Sequence, residues 1–376
     1  MAKKVIFCNN NIKGQLHFRK EIMDSFEKDG WQVILIVPKF THTEPIMNQL
    51  GKSWKLYEMD MEPNSINPIK DSTYLFDLLK IYRKEKPDII FNYTIKPNIY
   101  STIAAKIAGI KTVDMLAGLG YIFEGNSLHK KIGRRIYKTA LKLADKVLVL
   151  NESNKKVLLN GNYVSPDKLL LLKGGEGVSL TRYPYKKMEF ASVRFLMIAR
   201  VLYSKGYQEY VEAARIVKSK YPEVEFELLG SIDHTSPARV PQEIIERDSK
   251  NGDIKYLGTT SDVPSFVLRD GVVLAIPSKY LEGLNRSLME GAAMGRPIIT
   301  TDNPGCRETV NDGINGFLVP ASDSKTLAEA MIRFIELPAD KKVEMAEASH
   351  RKAERDFNVS HVIDTYKRLV KELIRD

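Results

Sequence analysis

Short apolar runs alternate with amphipathic stretches along most of the chain. Val5–Phe7 has the length and continuity of a buried strand, and after a polar loop Phe18, Ile22 and Phe26 recur at helical spacing over Phe18–Lys28. Gln32–Val37 is a second apolar run and Tyr74–Lys84 a second helical pattern. Asp88–Phe91 then reads as a strand bounded by Pro87, Ser101–Ala108 as a helix stopped by Gly109, and Lys111–Met115 as another strand. A long helical pattern over Leu128–Ala144 leads into the strand pattern Lys146–Leu150. Strands alternating with helices predict βαβ units and a parallel sheet covered on both faces, the doubly wound α/β class.

The alternation pauses over Lys173–Ser192, where Gly174, Gly175, Gly177 and Pro184 interrupt any periodicity, and then restarts. Val193–Ala199, Glu225–Leu229, Ile254–Leu257, Val272–Ile276 and Pro297–Thr300 read as strands, and Gly206–Lys220, Arg286–Met294, Lys325–Glu336 and Ser360–Ile374 as helices. The expected organisation is an N-terminal domain over 1–178, a linker over 179–192 and a second α/β domain over 193–350. C-terminal helices over 351–376 follow, the last packing back on the first domain. Two such domains facing across a cleft would bind ligands at the carboxyl ends of their strands.

Composition narrows the class. With 376 residues, 43% hydrophobic and 28% charged, the chain suits two globular cores and neither a fibrous repeat nor general disorder. Cys8 and Cys306 are the only cysteines and the six histidines show no close pairing, so neither a disulfide framework nor a metal centre is expected. The start of the chain lacks the apolar run of a signal peptide, and no stretch approaches the roughly 20 apolar residues of a membrane span, so a cytoplasmic protein is expected. The net charge of +10 is unevenly placed: residues 1–178 hold 28 Lys and Arg against 18 Asp and Glu, and residues 179–376 hold 29 against 29. The excess belongs to the first half, which points to an anionic partner there.

Two patterns in the second half carry candidate chemistry. In IPSKYLEGLNRSLMEG, Glu282 lies in the loop after a strand, Gly283, Leu284 and Asn285 lead into a helix, and Glu290 lies more than a turn along it. Backbone N–H groups at a helix start favour a phosphate or diphosphate, and a carboxylate on that helix can accept from two neighbouring hydroxyls. Taken alone, a solvated loop Glu and a solvated helix Glu explain the same residues equally well. In MIARVLYSKGYQEY, Arg200 and Lys205 follow another strand, a rigid fork and a mobile point charge able to bracket one diphosphate. The two patterns together, both at strand carboxyl ends, favour a binding site over two solvated loops.

The first half offers weaker signals. Gly14, in NNNIKGQLHFR, would admit a ligand close to the backbone; Thr94 and Lys96 end the strand in NYTIKPNIY; and Gly118, Gly120 and Glu124 lie in AGLGYIFEG. Neither the G-x-G-x-x-G nor the P-loop fingerprint occurs, and no G-x-S-x-G elbow suggests a hydrolase. The helix LHKKIGRRIYKTALKLA carries Lys130, Lys131, Arg134, Arg135, Lys138 and Lys142 among Leu128, Ile132, Ile136, Tyr137 and Leu141. It reads either as a core-facing stripe with a solvated cationic face or as a helix that docks on anionic lipid, for which Lys130, Lys131, Arg134 and Arg135 are the candidates.

Together these residues resemble the retaining family 4 glycosyltransferases with the two-domain GT-B fold, over essentially the whole chain. The Arg200–Lys205 pair and the Glu282-x7-Glu290 spacing match the family signature, and NIKGQLHFR, NYTIKPNIY and AGLGYIFEG look like the subgroup that extends polyprenyl-diphosphate-linked glycans in capsule, O-antigen or N-glycan assembly. The resemblance implies that Arg200 and Lys205 hold the donor diphosphate, that Glu290 binds ribose hydroxyls, and that Glu282, with backbone at Gly283, Leu284 and Asn285, contacts the donor sugar. Gly14 would approach the diphosphate. Many relatives carry a His near the end of the fourth N-terminal strand, where this chain has Tyr93-Thr94-Ile95-Lys96, so no His-based role transfers.

The expected activity is therefore metal-independent, retaining transfer from a UDP-sugar, a UDP-N-acetylhexosamine or UDP-hexose, to a polyprenyl-diphosphate-linked saccharide. No cofactor beyond that co-substrate and no nucleic acid are expected, with an anionic membrane surface as a further partner at the inner face of the cell membrane. The rival readings are a GT-B nucleotide-sugar epimerase and a non-enzymatic basic membrane adaptor.

Overall fold

The computed structural model describes residues 2–62, 68–119, 121–123, 125, 127–234 and 236–374. The chain runs β1 (Lys4–Cys8), α1 (Ile12–Lys28), β2 (Gln32–Pro38), α2 (Glu44–Met47), β3 (Lys55–Met59), α3 (Pro68–Glu85), β4 (Ile89–Tyr93), α4 (Thr102–Ala108), β5 (Lys111–Leu116), α5 (Leu128–Leu143), β6 (Lys146–Val149), α6 (Glu152–Asn160) and β7 (Leu169–Leu171). It continues as β8 (Arg194–Ile198), α7 (Tyr207–Lys220), β9 (Glu225–Leu229), α8 (Gln242–Lys250), β10 (Lys255–Tyr256), α9 (Val263–Val267), β11 (Val272–Ile276) and α10 (Arg286–Ala293). The last elements are β12 (Ile298–Thr301), β13 (Gly316–Val319), α11 (Ser324–Glu336), α12 (Ala339–Lys352) and α13 (Val359–Leu373).

Two compact units result: Met1–Gly177 with Val359–Asp376, and Val178–Asn358. Each is a doubly wound parallel sheet, of order β3-β2-β1-β4-β5-β6-β7 in the first and β10-β9-β8-β11-β12-β13 in the second. Both orders reverse beside their first strand, between β1 and β4 and between β8 and β11. Such switch points open a crevice at the strands' carboxyl ends.

Burial explains where the elements depart from expectation. α1 begins at Ile12 rather than Phe18, because the Asn11 side chain caps it by accepting from the Gly14 N–H at 3.2 Å and because Ile12 and Leu16 are buried. The stretch 179–192, expected as a linker, belongs to the second unit, where Tyr183 and Met188 join the core beneath α10. The second unit also runs on through a π-turn, Ala353–Phe357, so the division falls at 358/359 rather than 350/351. α13 lies in the first unit, where the Tyr366 hydroxyl meets that of Tyr93 at 3.0 Å and Lys367 pairs with Asp29 at 2.7 Å.

The first unit carries a buried polar network across its sheet. Asp114 on β5 is fully buried opposite Asn92 on β4; Asn92 Nδ2 donates to it at 2.9 Å and Thr102 Oγ1 reaches both its oxygens at 2.8 Å. Asn92 Oδ1 in turn accepts from Ser101 at 2.5 Å. With hydrogen-bond donors but no buried cation beside it in this network, the Asp114 carboxyl is pushed by burial from its ordinary 3.8 up to about 7. A carboxyl raised on folding stabilises most while both states hold the proton, below pH 3.8, and that stability is lost as pH rises through about 7. The thermal midpoint of wild type should therefore fall relative to that of Asp114→Asn across this window and run parallel to it above. A gap that stays constant from pH 4 to pH 8 would refute the buried-acid assignment.

Candidate functional site

The reversal between β8 and β11 in the second unit is where the candidate residues gather. Gly206, at φ +87°, starts α7, and a Cβ there would run into the carbonyl oxygen of Pro277, the residue after β11. At Gly230, after β9, a Cβ would strike the Ala199 carbonyl. The loops after β8, β9 and β11 thus pack backbone against backbone. They are also laced together: Val201 N–H donates to Ser231 O at 2.9 Å, Tyr203 N–H to Ala238 O at 2.8 Å, and Lys279 N–H to Ser204 O at 2.9 Å.

On this frame Lys205 and Glu282 meet at 2.8 Å, both largely buried at 13% and 14% exposure. Asn285 Nδ2 donates to the same Glu282 oxygen at 2.9 Å, and the Lys205 ammonium lies 5.1 Å from the centre of the Tyr280 ring. Asn285 also caps α10, its Oδ1 accepting from Leu288 N–H at 3.2 Å and its own N–H donating to Gly305 O at 2.7 Å. Asn285 is therefore the N-cap of α10, and one N–H of the expected helix-start anion site is already satisfied. Gly283 is buried and Leu284 half-buried against the core under α10.

Arg200 takes a different partner. Its Nη1 donates to Asp233 Oδ2 at 2.8 Å, on the loop after β9, and Asp233 Oδ1 accepts from Ser236 N–H at 3.1 Å. The guanidinium stays 57% exposed, which leaves most of its donors open to solvent or a ligand. The two cations expected to share one diphosphate thus each hold a carboxylate of their own. Glu290 is likewise not a solvated helix residue: it is 5% exposed and accepts from Arg286 Nε at 2.8 Å. Asp233, Tyr280 and Arg286 touch the candidate residues Arg200, Lys205 and Glu290, and sequence reasoning did not single them out. Their only signal was position, two in strand-end loops and one a helical turn before Glu290.

In the first unit the candidates scatter. Gly14 sits in the first turn of α1 rather than in a loop, and a Cβ there would find nothing nearer than 4.0 Å, so the fold does not itself require glycine. Thr94 follows β4 at φ +71°, its hydroxyl bonded to the Tyr93 carbonyl. Lys96 is 8% exposed and spends its ammonium on Asp71 of α3 at 2.6 Å, so the expected cleft cation is a buried structural pair. Gly118 is half-buried after β5, while Gly120 and Glu124 lie outside the described residues.

α5 resolves its two readings in part. Tyr137 and Leu141 are core, but Leu128, Ile132 and Ile136 stand 69%, 52% and 43% exposed, an apolar edge turned outward. Lys131, Arg135 and Lys142 are exposed beside it and, with Lys138 and Tyr163, line an open cleft of about 530 Å³. Arg134 lines the same cleft while its Nη1 donates to the carbonyls of Ile122 and Gly125 at 2.8 and 2.9 Å, and Lys130 is half-buried. Among the described residues, no helix is long and apolar enough to cross a membrane, and no cluster of three His, Cys, Asp or Glu could hold a metal.

The fold is that of the GT-B glycosyltransferases. Residues 191–353 match the glycosyl transferases group 1 and residues 4–151 the glycosyl transferase 4-like family, so the chain is a glycosyltransferase with a family 4-like domain in its first half and a group 1 domain in its second. It is 28% identical, over 85% of its length and 86% of the relative's, to N,N'-diacetylbacillosaminyl-diphospho-undecaprenol alpha-1,3-N-acetylgalactosaminyltransferase of Campylobacter jejuni. It is 24% identical, over 88% and 87%, to UDP-Gal:alpha-D-GlcNAc-diphosphoundecaprenol alpha-1,3-galactosyltransferase of Escherichia coli. Anabaena Alr3699/HepE, solved in complex with UDP, superposes with a TM-score of 0.80 at 17% identity, covering 98% of this chain and all of that one. The non-enzymatic adaptor reading is set aside by this kinship.

The Lys205–Glu282 pair is shielded enough for its loss to be measurable. Lys205→Met should lower stability by about 2 kcal/mol, less than the roughly 3–5 of a fully buried pair, because the largely buried Glu282 loses the cation it is paired with. Adding Glu282→Gln should recover part of that loss in a double-mutant cycle read by denaturant unfolding. Strictly additive effects would mean that the pair does not interact.

Proposed function

We propose that the chain transfers a sugar, with retention and without a metal, from a UDP-hexose or UDP-N-acetylhexosamine to a polyprenyl-diphosphate-linked saccharide in bacterial surface-glycan synthesis. The observation that carries this reading is the Lys205–Glu282–Asn285 chain at the sheet reversal of the second unit, with Arg200 on the neighbouring loop. The names of the Campylobacter and Escherichia relatives support the acceptor class, and those of the Escherichia and Anabaena proteins support UDP.

In this mechanism the bond from the anomeric carbon to the diphosphate oxygen breaks while the acceptor hydroxyl oxygen bonds that carbon from the same face. The hydroxyl proton passes to the departing diphosphate. Charge grows on the diphosphate as the bond breaks, so cations placed beforehand are the main catalytic term, and neither carboxylate need act as a glycosidase nucleophile. Lys205, oriented by Glu282, and Arg200, oriented by Asp233, are the groups that meet this charge. Glu282 contacts the donor sugar and Glu290 the ribose hydroxyls. Arg200→Ala should lower kcat/KM for the donor about a hundredfold, roughly 3 kcal/mol of transition-state stabilisation, with the fold retained because its side chain is more than half exposed. Activity should survive EDTA. Wild-type turnover in the variant, or chelator-sensitive turnover restored by magnesium, counts against the mechanism, and sugar epimerised without an acceptor would convert the reading to an epimerase.

The first unit receives the lipid-linked acceptor at the inner face of the cell membrane, with α5 lying in the lipid headgroup plane. Its exposed Leu128, Ile132 and Ile136 provide apolar contact and Lys131, Arg135 and Lys142 face the anionic headgroups, each worth about 1 kcal/mol. Changing those three cations together to Gln should release the protein from anionic vesicles and spare UDP binding. Wild-type binding should weaken with salt, since the attraction is screened over about 8 Å at physiological ionic strength. Unchanged vesicle binding by the triple variant would reduce this face to ordinary solvated surface.

A further inference from the structure

A second ion pair crosses the seam that carries Lys205 and Glu282. Lys279, in the loop after β11, donates from Nζ to Glu209 Oε1 at 2.9 Å, and its backbone N–H donates to Ser204 O at 2.9 Å. Glu209 lies in the first turn of α7, where the helix dipole favours a carboxylate, and is 7% exposed. Its Oε2 is buried with no hydrogen-bond partner among the described residues, so the balance of this buried charge depends on Lys279. Between the two contacts of Lys279, Gly206 brings the start of α7 against the Pro277 carbonyl.

The charges alternate across this seam. The α7 side supplies Lys205 and Glu209, the β11 side Lys279 and Glu282, and each cation reaches the carboxylate of the other side. A slip of one side by three residues would set Lys205 opposite Lys279 in one direction, or Glu209 opposite Glu282 in the other, so the two pairs together fix one register. A donor would treat the pairs differently. If Lys205 meets the diphosphate and Glu282 the sugar, the donor draws on both partners of the first pair, while Lys279 and Glu209 keep each other. Resting on that reading, we propose that Lys279 and Glu209 are positioning residues, whose pair pins the loop after β11 to the start of α7 so that Lys205 and Glu282 hold their separation when the donor replaces their mutual contact. Their effect is exerted through Lys205 and Glu282, not through contact with the donor.

The test runs the Lys205→Met and Glu282→Gln cycle by denaturant unfolding twice, in wild type and in Lys279→Met. A Lys279 that only adds stability shifts all four corners alike and leaves the Lys205–Glu282 coupling where it was, whereas a positioning Lys279 lets that coupling fall to about half or less. Lys279→Arg, which keeps the charge, should restore it. Lys220→Met, which breaks the exposed pair with Glu336 at the far end of α7, should leave it intact. Where Lys279→Met does not fold, Glu209→Gln takes its place with the same expectation. Calorimetry with UDP, or with GDP if UDP does not bind, reads the donor side: Lys205→Met should weaken binding about tenfold or more, the scale of a hydrogen bond to a charged group, and Lys279→Met about threefold. A coupling unchanged in Lys279→Met, or no coupling in wild type to lose, overturns the positioning role. If the coupling falls as expected but Lys205→Met binds the nucleotide as wild type does, or wild type binds neither nucleotide, the positioning of the pair stands and the diphosphate reading of Lys205 is what fails.

Discussion

The site depends first on how closely three loops approach at the carboxyl end of the second sheet. Gly206 and Gly230 leave no room for a Cβ against the carbonyls of Pro277 and Ala199, so the turns after β8, β9 and β11 touch through their backbones. That contact fixes the origins of Arg200, Lys205, Asp233 and Glu282, which these loops carry. Lys205 and Glu282, on different loops, can then meet with both mostly removed from water, at 13% and 14% exposure. An ion pair this shielded is sensitive to misplacement, because each partner would be costly to leave alone. The glycines therefore act on chemistry indirectly, by removing the slack that a looser loop would introduce.

Legibility in the sequence followed the length scale of the signal. The βαβ alternation was readable because it repeats over tens of residues, and it implied two parallel sheets whose reversals place loops after β8 and β11 side by side. Arg200, Lys205 and Glu282 stood out because each follows a strand, and Glu290 because of its spacing from Glu282. Their partners did not. Asp233 lies in a loop like many others, and Arg286 is an ordinary polar residue in a helix start. Nor did Tyr183 read as core, since it lies in a stretch whose glycines and proline suggest a linker. Burial of Tyr183 is a tertiary fact, decided by the underside of α10. The start of α1 was misplaced for a related reason, since a run of three asparagines reads as loop until Asn11 is seen to cap the helix.

The first unit shows the opposite error, a charge read as available when the fold had already used it. Lys96 looked like a cleft cation because it follows a strand, yet Asp71, brought over by α3, neutralises it in the interior. Arg19, one of the cations in the charge count, is likewise used inside: it is 3% exposed, paired with Glu176, and stacked 3.8 Å from the centre of the Tyr93 ring. Counting charge along the sequence cannot separate such internal pairs from surface charge. The excess of positive residues in the first 178 positions is a statement about partners only for the cations that remain outside, and on α5 those are chiefly Lys131, Arg135 and Lys142.

Those cations share their helix with an apolar edge, and the combination says more than either part. A cationic face alone would serve any polyanion, nucleic acid included, and an apolar edge alone would invite a protein partner. Leu128, Ile132 and Ile136 recur every four residues along one side of α5, and the exposed cations run along the adjacent side, within reach of the same plane. A surface that is greasy below and anionic at its margin is the one chemistry that satisfies both sides at once, and a lipid leaflet has that profile. The lysine stems can lie along the apolar boundary while their ammonium groups reach the phosphates. On the proposed reading, a substrate tethered to the same leaflet would then need to diffuse only in two dimensions to find the enzyme.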